Sequence, residues 1–385
     1  MGYFLNITGI ICEYNPLHSG HKKQLDIVRS ADPDGGIVCL MSGNFVQRGM
    51  PSIFHKSLRA EAAVRCGADL VLELPVTVSL QSAEGFAAGG VSILSGFCNK
   101  LCFGAENADG YGLADIAGAL LSQDFKAALR GELDKGLSFP AARQAALEAM
   151  GFHGDVITSP NNILAVEYCK AILSQGSALQ PWPIHREGNY HDSTPDSENP
   201  SATALRQLMD KQQPWQSYVP EEVLPVFENA DMYSIAAGER AIVSKLRTMT
   251  DQEFQALPYG AEGLWRKLMH AARKEATLEE ILTATKTKRY TRSRLDRMVM
   301  CAFLGLREAD LQTPAPYVRV LAFNDKGREI LKKARAVGEF PNIGQQMDHP
   351  YQQLENRCGT LYGLFRHGAP DAPDMEAQQR VFYQK

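Results

Sequence analysis

Apolar runs alternate with amphipathic stretches along the first 210 residues, and this alternation constrains the fold more than any other feature of the chain. Each apolar run is short and ends at turn-forming residues, which is typical of a strand buried on both faces. The predicted strands are residues 7–12, 36–41, 68–75, 101–106 and 182–188. Strands that alternate with helices predict an α/β domain with a parallel sheet over residues 1–210.

Residues 211–385 have a different character, because three prolines mark a linker and the segments beyond it have helical spacing. The sequence therefore predicts a mainly α-helical second region with one short α+β element, formed by strand 317–323 and helix 329–335. The other predicted helices are 55–66, 81–94, 114–150, 228–248, 261–273 and 277–285, together with one that Asn161 caps.

Helix 55–66 carries Lys56, Arg59 and Glu61, which we expect to be exposed. Helix 81–94 is rich in alanine and contains Gly89-Gly90, which indicates close packing of this helix on the sheet.

Composition excludes several classes of protein. At 44% hydrophobic and 22% charged residues, the chain has the composition of a globular protein and contains no apolar run as long as a membrane span. Its start lacks the basic segment and apolar core of a secretory signal, so we expect a cytoplasmic protein that does not bind membranes. Its eight cysteines form no CxxC pair and are expected to be reduced and packed in the core.

The loop after the first strand reads Glu13-Tyr14-Asn15-Pro16-Leu17-His18-Ser19-Gly20-His21 and leads into a helix. A helix N-terminus offers free N–H groups and partial positive charge, which suit phosphate. Gly20 permits a close approach of an anion to the backbone. His18 and His21 are three residues apart and can donate hydrogen bonds from one side of the first turn to phosphate oxygens that gain charge.

Two other interpretations of the histidine pair exist. One histidine could cap the helix while the other is an ordinary exposed side chain, but the strand–loop–helix context favours phosphate binding. Zinc binding is disfavoured, since no cysteine or carboxylate lies nearby at ligand spacing.

Further candidates lie where other strands end. Arg48 could neutralise a phosphate or a carboxylate, or belong to an ordinary surface loop. Gly104 could admit an adenine or ribose to the backbone, or form only a tight turn. Asn162 could offer its amide to a ligand, although capping of the helix alone is the favoured explanation of the Asn161-Asn162 pair. Ser201 is expected to cap a helix whose N-terminus, with Arg206, addresses phosphate.

Residues 286–297 contain six basic residues, one acidic residue and one tyrosine. Such a stretch is often a solvated helix face. Here opposing acids are nearly absent from the stretch, which favours phosphate contacts with one base-stacking platform and hence RNA. The charge distribution agrees: residues 1–210 hold 15 Lys and Arg against 22 Asp and Glu, whereas the remainder holds 25 against 22. The predicted RNA contacts are Lys286, Lys288, Arg289, Arg292 and Arg294.

Three segments carry a family resemblance. Residues 9–21 resemble the opening of the tRNA(Met) cytidine acetate ligases, members of the HIGH-type nucleotidyltransferase superfamily, and residues 42–51 and 316–328 also resemble that family. Residues 201–206 are similar to the second superfamily signature, with Ala202 in place of a serine. The resemblance implies a Rossmann-like HIGH-type domain over residues 1–210 that binds ATP, followed by a tRNA-binding region over residues 211–385.

The family's reaction is implied by the same resemblance. ATP and acetate form acetyl-adenylate, and the acetyl group passes to N4 of the wobble cytidine of elongator tRNA(Met). His18 and His21 would be catalytic, and Ser201, Thr203 and Arg206 would contact phosphates. Magnesium would accompany ATP through phosphate oxygens rather than occupy a protein metal site. The implied ATP-binding residues are Ile7, Thr8, Gly9, Ile10, Ile11, Cys12, Glu13, Tyr14, Asn15, Pro16, Leu17, His18, Ser19, Gly20, Gly104, Asn162, Arg186 and Glu187.

Three other classes of protein share features of this sequence. A nucleotidyltransferase that adenylates or cytidylylates a small molecule would share the first domain but does not need a basic stretch in a long second region. A non-catalytic RNA-binding protein is disfavoured, because both histidines and Gly20 are intact. An aminoacyl-tRNA synthetase is disfavoured too, since the chain is short and has no lysine-rich second signature.

Overall fold

The computed structural model describes residues 6–106, 110–185, 200–334, 338, 340–373 and 375–385. These residues form strands β1 (Ile7–Cys12), β2 (Gly36–Ser42), β3 (Phe45–Val46), β4 (Met50–Pro51), β5 (Leu70–Leu74), β6 (Lys100–Ala105), β7 (Gln180–His185), β8 (Val320–Asn324) and β9 (Phe382–Gln384).

The helices follow in chain order. They are α1 (Ser19–Ala31), α2 (Lys56–Arg65), α3 (Val76–Ser79), α4 (Ala83–Leu94), α5 (Gly110–Leu121), α6 (Gln123–Asp134), α7 (Phe139–Ala149), α8 (Pro160–Gln175), α9 (Ala202–Asp210), α10 (Leu224–Phe227), α11 (Ile235–Thr248), α12 (Asp251–Gln255), α13 (Leu264–Lys274), α14 (Leu278–Thr285), α15 (Arg292–Leu304), α16 (Glu308–Gln312), α17 (Asp325–Ala334), α18 (Pro350–Tyr362) and α19 (Met375–Gln378). Short 3₁₀ turns cover Gly154–Ile157, Gln216–Tyr218, Glu221–Val223 and Gly363–Phe365.

The main sheet has the order β7-β6-β1-β2-β5-β8-β9. The five predicted N-terminal strands are all present and pair in parallel, which confirms the α/β fold class. From β1 the chain moves outward through β2 to β5 and then returns to β6 on the other side of β1. The sheet therefore has a topological switch point between β1 and β6, and open α/β sheets bind ligands at the carboxyl ends of strands beside such a point.

The C-terminal region also contributes to this sheet. Strand β8 pairs antiparallel with β5, and β9 pairs in parallel with β8. The α+β element predicted beyond residue 210 thus belongs to the main sheet, because its apolar strand, buried at Val320, Leu321 and Ala322, covers an otherwise open edge. It begins at Val320 rather than at Tyr317, and the next helix begins at Asp325 rather than at Glu329.

Two helix predictions were wrong in extent. The single helix expected over residues 114–150 is three helices, since Ser122 caps α6 with its side chain and Gly136 has a φ of +86°, which ends a helix. The helix expected to begin at Glu228 begins at Ile235, because Ser234 caps it.

The expectation that Lys56 and Arg59 are exposed was wrong, since both side chains are buried. Arg59 donates hydrogen bonds to four backbone carbonyls, those of Phe54 at 3.0 Å, Glu13 at 2.5 Å, Ser42 at 3.1 Å and Gly43. Such complete pairing makes burial of a guanidinium tolerable.

Lys56 lies in a buried ionic cluster with Glu73 at 2.7 Å and Glu376 at 2.9 Å. Glu61 is partly exposed, as expected, and forms a salt bridge with Arg65 at 2.7 Å. Lys56 and Arg59 therefore have partners on other elements of the fold, whereas Glu61 pairs with a residue of its own helix.

All eight cysteines are free thiols, and seven are buried. The close packing predicted for helix α4 is confirmed, because a Cβ at Gly90 would lie 2.5 Å from Cδ1 of Ile11. No helix in the described part of the chain is long and apolar enough to cross a bilayer.

Candidate active site

The two histidines of the first loop lie together at the start of α1. His18 is the N-cap residue and His21 the third helical residue, and the His18 N–H donates to Nδ1 of His21 at 3.3 Å. Their rings stack with centroids 3.7 Å apart and planes inclined by 26°. Both imidazoles thus occupy one side of the first helical turn, as the three-residue spacing predicts, beside the N–H groups of the helix N-terminus.

The loop that carries His18 is fixed from several directions. Tyr14 has a φ of +44°, in the left-handed region that a tyrosine rarely adopts, and its ring is 1% exposed. Asn15 accepts a hydrogen bond from the Ile53 N–H at 2.7 Å through its side chain, and its own carbonyl accepts from Nη1 of Arg206 at 2.6 Å. Contacts from two other segments therefore hold the loop in an otherwise unfavourable backbone conformation.

A cavity of about 1270 Å³ opens at the carboxyl ends of β1 and β6, where the topology places a ligand site. Histidines 18 and 21 line it, and so do residues from α15 near the far end of the sequence. Among the described lining residues, nine are basic and four acidic, which suits a polyphosphate. The basic ones are Lys23, Arg48, Lys126, Arg143, Lys170, Arg206, Arg289, Arg294 and Arg297, and the acidic ones are Glu13, Glu84, Glu167 and Glu262.

The structure separates the predicted ATP-binding residues into two groups. The residues that line the cavity are Ile11, Cys12, Glu13, Tyr14, Asn15, His18, Gly20 and Gly104. Those that are described but lie outside its lining are Ile7, Thr8, Gly9, Ile10, Pro16, Leu17, Ser19 and Asn162. Arg186 and Glu187 lie outside the described residues.

Gly9 illustrates why the first half of β1 lies outside the lining. A Cβ on Gly9 would lie 2.8 Å from Cδ1 of Leu94, so this glycine permits α4 to pack on the sheet. Ser19 is engaged elsewhere, since its Oγ donates to the Tyr218 carbonyl at 2.9 Å.

The prediction that Asn161 caps its helix was wrong, because Pro160 begins α8 and Ser159 is the N-cap residue. Glu106 explains the arrangement, since its carboxylate accepts from Ser159 Oγ at 2.8 Å, from Asn161 Nδ2 at 2.7 Å and from the Asn162 N–H at 3.0 Å. Burial raises the pKa of Glu106, but these hydrogen bonds outweigh it and hold the pKa below its usual value. Asn161 therefore contributes to the cavity wall, whereas Asn162 is buried outside the lining.

The second signature lies against the histidine loop. Ser201 caps α9, as predicted, by accepting from the Ala204 N–H at 3.0 Å. Arg206 donates to Thr203 Oγ1 at 3.1 Å as well as to the Asn15 carbonyl. Ser201 and Arg206 line the cavity and Thr203 does not, although Thr203 is hydrogen-bonded to Arg206 of the cavity wall.

A hairpin formed by β3 and β4 joins the histidine loop to α15. The Gln47 N–H donates to Oε1 of Glu13 at 2.9 Å, and the Gln47 carbonyl accepts from Nη1 of Arg297 at 3.3 Å. Gly49, with a φ of +78°, lies so close to α15 that a Cβ would be 2.4 Å from the Arg297 nitrogen. Sequence reasoning missed Gln47 and Arg297 as partners because nothing local links residues 250 positions apart.

The basic stretch has two faces. Arg289 and Arg294 line the main cavity, and Arg294 lies between the rings of Tyr259 and Tyr290, 5.8 Å and 4.8 Å from their centroids. Lys286, Lys288 and Arg292 line a second, separate pocket of about 450 Å³, which shares no lining residue with the main cavity. Tyrosine rings with arginine side chains packed against them form a surface on which a base can stack.

The stretch itself holds one acid, Asp296, as the sequence shows, but acids from other elements also oppose its arginines. Arg289 pairs with Glu262 at 2.8 Å, and Arg292 pairs with Glu279 at 2.7 Å and with Asp296 at 2.8 Å. The pairs with Glu262 and Glu279 are solvent-exposed and therefore contribute little to stability, so a phosphate can replace these two carboxylates.

The described lining of the cavity is rich in charged and hydrogen-bonding groups. Burial raises the pKa of the Cys12 thiol well above its usual value, with Cys39 adding to the effect, so this cavity residue is a neutral thiol. Within the described ranges, no three His, Cys, Asp or Glu residues are grouped so that they could hold a metal ion. Stabilisation of charged phosphate oxygens is the chemistry that the described groups support.

Comparison with known proteins gives a consistent result. Residues 5–372 match the family model described as HIGH Nucleotidyl Transferase. The tRNA(Met) cytidine acetate ligase of Clostridium acetobutylicum is 35% identical over 373 residues, which cover 91% of this chain and 92% of that protein. The enzyme of the same name from Clostridium novyi is 36% identical over 368 residues, covering 88% and 89%.

Solved structures agree with these relatives. The apo crystal structure of TmcAL from Thermotoga maritima superposes with a TM-score of 0.90 at 28% identity and covers 98% of this chain and 99% of that one. A second crystal structure of the same protein, bound with alpha-thio ATP, gives a TM-score of 0.88 at the same identity and coverage.

Proposed function

Since this chain belongs to the tRNA(Met) cytidine acetate ligase family of HIGH nucleotidyl transferases, we propose that it is an ATP-dependent ligase that activates acetate as acetyl-adenylate and transfers the acetyl group to N4 of the wobble cytidine of elongator tRNA(Met). One observation carries the proposal. The stacked histidines at the α1 N-terminus and the Tyr–Arg surface of the basic stretch line the same cavity.

The first step activates acetate. A carboxylate oxygen of acetate attacks the α-phosphorus of ATP, the bond from that phosphorus to the bridging oxygen breaks, and pyrophosphate leaves. Negative charge accumulates on the phosphate oxygens in the transition state, where His18 and His21 donate hydrogen bonds beside the helix N-terminus. Arg206, held against Asn15, provides a fixed positive charge on the same wall.

The second step transfers the acyl group. The N4 amine of cytidine attacks the acetyl carbonyl carbon, the bond to the AMP oxygen breaks, AMP leaves, and the nitrogen loses a proton. An exocyclic amine conjugated to a pyrimidine ring is a poor nucleophile, so an activated mixed anhydride is the appropriate donor. The base must enter the cavity to reach it, and Tyr290 and Arg294 offer it a stacking surface at the wall.

ATP is proposed to bind across the residues that line the cavity from β1 and α1. The Thermotoga maritima neighbour bound with alpha-thio ATP supports this assignment. Magnesium is proposed to enter with ATP as part of the substrate, coordinated by phosphate oxygens and water. The predicted ATP-binding residues outside the cavity lining stay predictions, as does the phosphate contact of Thr203. They are Ile7, Thr8, Gly9, Ile10, Pro16, Leu17, Ser19, Asn162, Arg186 and Glu187.

Transfer RNA is proposed to bind along residues 286–297, where the exposed pairs of Arg289 and Arg292 can exchange a carboxylate for a backbone phosphate. In this proposal residues 1–210 carry ATP binding and residues 211–385 contact tRNA. The substrate would place the reaction in the cytoplasm.

Pyrophosphate release tests the proposal directly. The purified protein is mixed with ATP and magnesium, with and without acetate, and bulk tRNA is then added. The expected result is release that depends on acetate and proceeds to multiple turnovers when tRNA is present. Pyrophosphate release that does not depend on acetate or tRNA but requires another small acceptor would instead identify a small-molecule nucleotidyltransferase.

A further inference from the structure

The β3–β4 hairpin and the residues that flank it are joined to the histidine loop at three points. The Gln47 N–H donates to Glu13 Oε1 at 2.9 Å, and the Ile53 N–H donates to Asn15 Oδ1 at 2.7 Å. The buried Arg59 donates to the carbonyls of both Glu13 and Gly43, one in each segment. These bonds place the hairpin beside the loop that carries His18, next to the centre where adenylation takes place in the proposed function.

The opposite side of the hairpin is also held. A Cβ on Gly49 would lie 2.4 Å from the Arg297 nitrogen and 2.5 Å from the Asp296 carbonyl carbon, so the turn packs directly on the α15 backbone. Arg297 adds its hydrogen bond to the Gln47 carbonyl. A hairpin packed between two rigid segments can act as a wall with a fixed shape, which is what discrimination by size requires.

Four residues of the hairpin line the cavity, namely Val46, Gln47, Arg48 and Met50. Val46 and Met50 are paired across the two strands, so their side chains are neighbours. Arg48 lies in the turn that joins them. The hairpin thus offers the cavity an adjacent pair of apolar side chains together with one guanidinium.

This combination matches the chemistry of a short-chain carboxylic acid, which has an alkyl group at one end and a carboxylate at the other. We propose that the hairpin is the acid-selecting site of the ligase, in which Arg48 orients the carboxylate of acetate and Val46 and Met50 enclose its methyl group. The inference rests on the proposed function and adds an explanation of how the ligase selects acetate among carboxylic acids. Met50 is half-buried, and its side chain limits the length of the acid that can bind.

Exchange of labelled pyrophosphate into ATP with acetate, propionate and butyrate tests the site. In the wild type, acetate is expected to give the highest kcat/KM. Met50→Ala removes most of the side chain that limits the length of the acid. It should raise the ratio of kcat/KM for propionate over acetate by about tenfold or more, since one methylene in an apolar pocket changes kcat/KM by about 10- to 200-fold. An unchanged ratio in Met50→Ala would overturn the assignment.

Met150→Ala is the matched control. Met150 is also half-buried, but it follows α7 and does not line the cavity. Both variants lose the same side chain, so their thermal unfolding curves show whether they fold equally well. In Met150→Ala the ratio of kcat/KM for propionate over acetate should stay at the wild-type value. A shift of that ratio in the control as large as in Met50→Ala would also overturn the assignment.

Arg48→Met and Arg48→Lys test the carboxylate contact. The Met variant should raise the KM for acetate at least tenfold and leave the KM for ATP within about twofold, and the Lys variant should fall between it and the wild type. A larger change in the KM for ATP than in that for acetate would assign Arg48 to phosphate binding and overturn its role here. If the wild-type protein exchanges pyrophosphate without any carboxylic acid, the proposed function fails; if acetate is required but these variants keep the wild-type selectivity, only the acid site fails.

Discussion

The imidazole rings of His18 and His21 stack on each other with centroids 3.7 Å apart at the first turn of α1. The contact couples the two side chains, since each ring limits the orientations open to the other. Tyr14 supports the pair from the side, with its ring edge-on to His21 at 5.0 Å. Two hydrogen-bond donors held together at a helix N-terminus are suited to stay bonded to one phosphate group as it passes from the substrate to the transition state.

Replacing either histidine should therefore reduce adenylation. We expect His21→Ala, and His18→Asn with its retained N-cap chemistry, each to lower the rate of acetate-dependent pyrophosphate exchange by about 10²- to 10³-fold, the effect of losing one hydrogen-bond donor to a charged transition state. The double variant should lose less than the product of the single effects, because the rings act as a unit. His153→Ala, at an exposed position, is the control. Exchange rates of the single variants within threefold of the control's rate would contradict the assignment.

Arg59 should be essential for stability as well as for the geometry of the site. Arg59→Met keeps a long side chain but leaves the carbonyls of Glu13, Phe54, Ser42 and Gly43 without their buried donor. The free energy of unfolding, measured by urea denaturation, should fall by about 2–3 kcal/mol. A loss below about 0.5 kcal/mol would show that water or a rearranged backbone satisfies these carbonyls.

The buried cluster around Glu73 should make stability depend on pH. Lys56 and Arg319 face three carboxylates, those of Glu73, Glu355 and Glu376, so the cluster has one negative charge in excess. Burial, together with the other two carboxylates, raises the pKa of Glu73 to about 7. Between the ordinary glutamate pKa and pH 7 the folded protein holds a proton that the unfolded chain releases. This contribution to stability is therefore present in acid and is lost as the pH rises towards 7.

Glu73→Gln tests that dependence, because glutamine resembles the protonated side chain at every pH. From pH 5 to pH 7 the wild type should lose stability relative to the variant, with a limiting slope of about 1.4 kcal/mol per pH unit. Urea unfolding at several pH values measures the difference, and exposed Glu228→Gln should show none. If the difference in the free energy of unfolding between the wild type and Glu73→Gln does not change with pH, the protonation of Glu73 in the folded protein is contradicted.

The basic stretch can be tested apart from adenylation. Lys286 and Lys288 line the second pocket, away from the main cavity. Changing both to alanine should weaken tRNA binding and reduce the slope of log K against log salt by about two, because each phosphate contact contributes roughly one unit. Acetate-dependent pyrophosphate exchange without tRNA should be unchanged.

Lys332→Ala with Lys333→Ala on α17 provides a control of equal charge, since both lysines are exposed on another surface. This control should leave the salt slope at the wild-type value. An equal loss of slope in both double variants would contradict a specific RNA contact at Lys286 and Lys288.

The parts of the site that sequence could predict are local ones. The order of strand, loop and helix around His18 and His21, and the cap at Ser201, follow from short-range patterns of hydrophobicity and capping. The parallel pairing of the five N-terminal strands followed equally from the alternation of strands with helices.

The long-range parts could not be predicted in this way. Arg59 resembles any surface arginine of an amphipathic helix until its carbonyl partners from two loops are known. The pairing of Arg289 with Glu262 and of Arg292 with Glu279 joins separate elements and has no local signal. Gln47 and Arg297 meet only because α15 packs on the hairpin, a tertiary contact across 250 residues.

Transfer of labelled acetate is the most direct test of the account. The protein is incubated with ATP, magnesium, labelled acetate and an elongator tRNA(Met) transcript, and the digested RNA is analysed for the modified nucleoside. We expect label in N4-acetylcytidine at the wobble position, and we expect it to be lost in His21→Ala and in a transcript with uridine at that position. Label that stays at acetyl-adenylate with every tRNA offered, or that attaches to a different acceptor, would contradict it.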